Sequence, residues 1–146
     1  SIYAIAQAAN DSGVIGIYSG TGAAEAGQSA PVIAGEMAAL ADGATDIEVA
    51  RAKAQLKSSL LMGLEKPMTR AEQIASQMFS YGRTLSVEEL TAKLDEVDVA
   101  AVRRFGVRLM NSVRPAVAAL GPIGNLESYE TFAARFGGST VLRAAE

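Results

Sequence analysis

Histidine and cysteine are both absent from these 146 residues, and tryptophan with them. Those absences remove whole classes of chemistry. No Ser–His–Asp triad, Cys–His pair or histidine-ligated zinc or iron site can be assembled from this chain alone. Disulfides and thiolate catalysis are likewise excluded. Aspartate and glutamate remain as acid–base groups, but most fall in the first turns of predicted helices or on charged faces. The chain by itself therefore does not read as a hydrolase. Aromatic residues make up only 5% of it, while apolar residues reach 49%; alanine supplies much of that share, which favours close-packed helices. The net charge of −3 and pI near 5.0 argue against nucleic acid or an anionic membrane surface as the main partner. No apolar run reaches the roughly 18 to 20 residues that a membrane span needs, and no signal-peptide pattern is visible. The length suits one domain with a real core.

What is present begins with strand-forming residues. Ile2, Tyr3, Ile5, Val14, Ile15, Ile17 and Tyr18 flank the turn Asn10-Asp11-Ser12-Gly13, which predicts a β-hairpin. Because strand composition starts at residue 1, the expectation is the later part of a larger domain, with strands and a helix missing upstream. Gly20-Thr21-Gly22 breaks the second strand, and residues 23–42 read as a helix with Val32, Ile33, Met37 and Leu40 on its apolar side and Gly43 just past its end. Pro31 suggests that its regular part starts nearby.

Thr45-Asp46-Ile47-Glu48 is a capping box. The helix it opens has two apolar stripes, Val49, Ala52, Leu56, Leu60 and Leu64 on one side and Ile47, Ala50, Ala54 and Leu61 on the other. That pattern predicts a sandwiched helix with Leu56 and Leu60 buried. Lys66-Pro67 ends or kinks it. A second box, Thr69 to Glu72, predicts a helix with Ile74, Met78 and Phe79 inward and Gly82 after it. A third, Ser86 to Glu89, adds Leu85 and Leu90 as a hydrophobic staple, and Asp98 is the predicted N-cap of a last long helix. Pro115–Gly121 then reads as a buried strand returning to the hairpin's sheet, followed by a closing helix over 126–136 and a polar tail. The order predicts an α+β fold with few strands.

The local motifs have bland explanations. Gly20–Gly22 lacks the rest of a phosphate-binding signature and reads as a strand-to-helix turn. Tyr81-Gly82-Arg83 suits either a carboxylate-binding arginine or a helix C-cap with a cation at the negative dipole end. Glu48, Arg51, Lys53 and Lys57 fit a polar site or ordinary charge pairing on a solvated strip. Arg103-Arg104 is too short for a nucleic-acid patch. With only hard oxygen ligands, any metal held here would be calcium or magnesium rather than zinc.

Taken in order, DSGVIGIYSGT, EVARAKAQLKSSLLMGLE, AEQIASQMFSYGRTLSVEEL and RPAVAALGPIGNLESYE resemble the C-terminal half of mitochondrial processing peptidase-like zinc peptidases of the insulinase/pitrilysin family. The resemblance implies two α+β domains of α/β-roll type facing each other as a clamshell. One carries an H-x-x-E-H zinc motif, and the other encloses the peptide. Lacking histidine, this chain resembles only the second, non-zinc half, and no catalytic residue, metal ligand or substrate-binding residue is carried over. The family's substrate-reaching arginine and tyrosine would fall just upstream of residue 1, which is the sequence's main departure from the pattern.

The expected fold is thus a partial roll, a short antiparallel sheet packed on several helices, with 1–136 as the later part of the peptidase-like domain and 137–146 as the tail. The implied function is the substrate-enclosing C-terminal part of a bacterial-type zinc metalloendopeptidase. The implied partners are a zinc-bearing N-terminal domain of the same protein and a peptide substrate, with self-association through an exposed strand edge. The alternative is a non-catalytic structural or assembly subunit related to processing peptidases. The residues leave the compartment undetermined, and the resemblance suggests a bacterial cytoplasm or periplasm.

Overall fold

The structure, a computed structural model, describes residues 1–9, 11–112 and 114–137. It is α+β. β1 (Ile2–Ala8) and β2 (Gly13–Ser19) form a two-stranded sheet. Among the described residues six helices follow: α1 (Ala26–Gly43), α2 (Asp46–Leu64), α3 (Pro67–Tyr81), α4 (Val87–Asp95), α5 (Val99–Ser112) and α6 (Tyr129–Ala133). The chain divides into two compact units. One holds 1–6, 14–44 and the chain from 102 onward; the other holds 7–13 and 45–101.

The hairpin's register is set at both ends. Ser1 and Gly20 exchange hydrogen bonds of 2.8 Å in both directions, and the Ala9 amide donates to the Ser12 carbonyl at 2.8 Å. Residue i therefore pairs with residue 21 − i. Tyr3 lies opposite Tyr18, and their rings stack with centroids 4.8 Å apart, a cross-strand aromatic pair that favours this register.

Among the described residues of the first unit, the buried ones are alanines and one phenylalanine. Ala34, Ala41 and Ala44 are nearly inaccessible, joined by Ala133 and Phe136. Small side chains let helices approach closely: a Cβ placed on Gly106 of α5 would stand 2.7 Å from both Cα and Cβ of Ala41 in α1. α1 begins at Ala26, five residues before Pro31, so it runs through the proline rather than starting beside it. The ring removes one interior bond, to the Gly27 carbonyl, and the flanking turns carry the helix through. Arg103 closes the other end, donating to the Ala44 carbonyl at the C-cap at 2.9 Å.

The second unit rests on caps. Thr45 makes the complete capping box: its Oγ1 accepts from the Glu48 amide at 3.3 Å, and the Glu48 carboxylate accepts from the Thr45 amide at 2.9 Å. α2 ends at Leu64, and Pro67 takes the first position of α3. Thr69 therefore lies inside α3 and is not its cap, because a proline suits the first turn, where its missing N–H would have no partner anyway. Gly82 closes α3 in the left-handed conformation, φ 67°, which glycine adopts without steric cost. Ser86 caps α4 through the Glu89 amide, and Asp98 caps α5 through the Ala101 amide.

Four expectations are corrected here. α2 is not sandwiched: its half-buried side is Val49, Lys53, Lys57, Leu60 and Leu64, while Leu56 is 55% exposed. The inward residues of α3 are Gln73, Gln77 and Ser80, with Ile74, Met78 and Phe79 exposed. The Gln77 carbonyl is buried because it accepts from the Leu85 amide at 2.8 Å, pinning the α3–α4 turn. The closing helix is only the five residues of α6, capped by Ser128. Pro115–Gly121 forms no strand. A strand exists only where a neighbour accepts its backbone bonds, and residues 116–120 make none among the described residues. Most of the predicted tail, 138–146, lies outside the described residues.

Candidate functional site

The polar groups that the sequence brings forward are occupied with one another. On α2, Lys53 Nζ donates to the carbonyls of Asp95 and Val97 at 2.8 and 2.6 Å, and Lys57 Nζ donates to Asp95 Oδ1 at 2.6 Å. Both lysines thus stand at the C-terminal end of α4, where carbonyls lack helical partners and the dipole is negative. The Lys57 hydrogen bond, then the charges of Lys57 and Lys53, hold the Asp95 carboxyl below its ordinary value. Glu48 is spent on Thr45, whose side-chain and backbone hydrogen bonds lower its pKa. A hollow of about 580 Å³ lies between α2 and the α4–α5 turn, but the cations on its wall are already engaged. This strip joins α2 to the end of α4 through Lys53 and Lys57.

The Tyr81-Gly82-Arg83 turn does bind a carboxylate, and it is the chain's own. Arg83 meets Glu89 through two parallel bonds of 2.8 and 2.6 Å, the fork geometry of arginine and carboxylate. Glu89 is pulled down by this hydrogen bond and Arg83 pushed up by it. The reciprocal half of the third capping box is consequently missing, because the Glu89 carboxylate faces Arg83 instead. The Gly20–Gly22 turn is no phosphate cradle either. A Cβ on Gly22 would meet Glu25 Oε2 at 2.7 Å, so a carboxylate already stands at the start of α1, where a phosphate would be repelled.

A cleft of about 810 Å³ opens in the first unit. One wall is β2 from Ile15 to Ser19 with Gly20 just past its end, and the facing wall is the segment from Pro115 to Leu120. Its floor comes from α1, with Ala26, Ala30 and Ile33. The second wall is steadied from behind. Tyr129 donates to the Pro115 carbonyl at 2.8 Å, Arg114 donates to the Tyr129 hydroxyl at 3.2 Å, and Arg135 grips Glu127 at 2.6 and 2.7 Å. No charged residue lines the cleft. Sequence reading missed it, although the signal was there: an uncharged strand-like run, PAVAALG, that the two strands of the hairpin leave unpaired.

Zinc does not fit this chain. It has neither histidine nor cysteine, and among the described residues no three acidic side chains converge. Among the described residues no helix is long and apolar enough to cross a membrane.

The class follows from the architecture. A hairpin leading into a succession of helices superimposes with a TM-score of 0.84 on a chain of complex III2 from Candida albicans, solved with Inz-5 bound. That match covers 92% of this chain and 33% of the other at 23% identity, and it shows the fold. No family model matches the chain. Individual relatives do. It is 36% identical over 119 residues to the mitochondrial-processing peptidase subunit beta of Mus musculus, covering 82% of this chain and 24% of the relative. It is 35% identical over 125 residues to a probable beta subunit of Arabidopsis thaliana, and 33% identical over 128 residues to that plant's probable alpha-2 subunit, described as chloroplastic/mitochondrial. The chain belongs to the mitochondrial-processing peptidase family of insulinase-type proteins, where it fits a C-terminal-type domain. It spans about a quarter of the length of these curated relatives.

The expected bacterial cytoplasm or periplasm is overturned by the same relatives, which are mitochondrial or chloroplastic proteins and point to an organelle. The reason for the miss is physical. Address is carried by targeting segments, whereas the stretches that bear the resemblance are caps and packing faces, which are the same in either compartment.

Proposed function

We propose that this chain is the substrate-enclosing C-terminal part of a zinc-dependent metalloendopeptidase housed in an organelle. In this reading residues 1–136 are the later part of the peptidase-like domain. The observation that carries it is the 33–36% identity to processing peptidase subunits over most of the chain. In this reading the metal and the bond-breaking groups lie in another domain of the same protein, since this sequence has neither histidine nor cysteine to hold zinc. The chain's contribution is then positional. A wall that holds a peptide in one orientation lowers the entropic part of the barrier, and loss of that wall costs rate without touching the metal. Its partners are the zinc-bearing domain and the peptide.

The test uses the full-length protein and its separated halves. Peptide cleavage that a chelator abolishes is expected from the full-length protein, none from residues 1–146 alone, and recovery when this chain is added to the zinc-bearing half. Chelator-sensitive cleavage by 1–146 alone would overturn the reading. A second reading, a non-catalytic assembly subunit, is supported by nearly equal identity to an alpha and to beta subunits and by the fold shared with a complex III2 chain. An intact H-x-x-E-H motif upstream in the same gene favours the enzyme, and a degenerate one favours the subunit.

A further inference from the structure

We infer that the outward face of α5 is a docking surface for an acidic segment of a separate protein chain, with Arg104 and Arg108 as the groups that take its carboxylates. Residues 99–126 contain four arginines, Arg103, Arg104, Arg108 and Arg114, and no acidic residue, within a chain whose net charge is −3. Two of the four are occupied. Arg103 donates to the Ala44 carbonyl at 2.9 Å, and Arg114 to the Tyr129 hydroxyl at 3.2 Å. The ion pairs among the described residues are Lys57–Asp95, Arg83–Glu89 and Arg135–Glu127, so no described carboxylate meets Arg104 or Arg108.

The helix period sets those two side by side. Gly106 lies against Ala41 of α1, and Val102, Leu109 and Met110 are half-buried around it. The opposite side is Arg104, Arg108 and Asn111, all exposed. Residues at i and i+4 stand about 6 Å apart, and like charges there destabilise a helix. A solvated face ordinarily relieves this with an acid one turn away, and α5 has none. A partner that brings two carboxylates relieves it instead. The Arg108 guanidinium carbon lies 5.4 Å from the centre of the Phe105 ring, a stack that orders the fork without using its N–H donors. Phe105 and Val107, 43% and 48% exposed, form apolar shoulders, and arginine beside an aromatic is a composition enriched at protein interfaces.

The distribution of charge selects the occupant. Permanent interfaces are apolar at their centre, whereas this one is charged at its centre and apolar at its flanks, which suits a chain that comes and goes. A second copy does not match, because none of the six helices carries two acids four residues apart. Two free cations on an acidic chain are too few for a nucleic-acid backbone or an anionic bilayer.

Fluorescence anisotropy on the full-length protein tests this with a labelled alanine-based helical peptide carrying glutamates in i,i+4 pairs, and with its glutamine counterpart as control. The glutamate peptide is expected to bind and the glutamine peptide not. Arg104→Glu is expected to weaken binding about tenfold or more, and added salt to weaken it for the unaltered protein. The same substitution sets Glu four residues before Arg108, the favourable order for an ion pair on a helix, so the thermal midpoint is expected to hold or rise. Binding lost while stability holds is the signature of a docking residue. Equal binding by Arg104→Glu, no binding by the unaltered protein, or a midpoint that falls on substitution would overturn the inference. So would tighter binding of phosphatidylserine vesicles or duplex DNA than of the peptide. No arm reads cleavage, so failure here leaves the peptidase reading standing, and failure of that reading leaves this surface in place.

Discussion

Arg83 and Glu89 lie in register as two parallel hydrogen bonds, Nη1 to Oε2 at 2.8 Å and Nη2 to Oε1 at 2.6 Å. The pair ties the left-handed turn at Gly82 to the first turn of α4. Its hydrogen bond holds the Glu89 carboxyl below its ordinary value. A depressed carboxyl contributes stability above its unfolded pKa and loses it as pH falls through the folded one. Glu89→Gln is therefore expected to narrow the difference in thermal midpoint between neutral and acidic buffer, with most of its effect at neutral pH. An unchanged difference would mean that this pair adds nothing, as many exposed pairs do.

Thr45 carries a complete capping box. Thr45→Ala is expected to cost about 1 kcal/mol in denaturant titration, and Thr45→Ser much less, because serine retains the accepting oxygen.

Leu60 and Leu56 make a matched comparison on α2. Leu60 is half-buried and Leu56 is 55% exposed. Leu60→Ala is expected to lose about 1 kcal/mol, roughly half of a full leucine burial, and Leu56→Ala to stay within about 0.5 kcal/mol. Equal losses in the same titration would restore the sandwiched helix.

Gly106→Ala sets two principles against each other. Helix propensity favours alanine by about 1 kcal/mol, but the new methyl would stand 2.7 Å from Ala41. The overlap is expected to win, with a net loss of about 1 to 3 kcal/mol. Ala41→Gly in the same chain is expected to recover part of it, which a double-mutant cycle measures.

The outer edge of β1 is exposed along all seven residues, IYAIAQA, with no charge or proline to block strand addition. Isolated 1–146 is expected to self-associate, and Ile5→Lys to weaken that association. Light scattering that finds monomers at high concentration for both proteins would refute this.

Caps and composition were legible in the sequence because they act over three or four residues. The Thr45 box, the Ser86 and Asp98 caps, the Gly82 stop and the hairpin need nothing beyond their neighbours, and the order of elements from β1 to α5 followed from them. The family resemblance rested on the same local features. Inward faces were not legible in this way. α2 and α3 carry apolar residues on more than one side, and period alone puts Leu56 and Leu60 on one stripe and does not choose between Phe79 and Gln77. The choice depends on which helix lies alongside, and Gln77 went inward because the Leu85 amide needed its carbonyl. The run from Pro115 to Gly121 shows the same limit. Its residues make it able to be a strand, but a strand is a relation between two segments, and only the tertiary structure decides whether the second one is there.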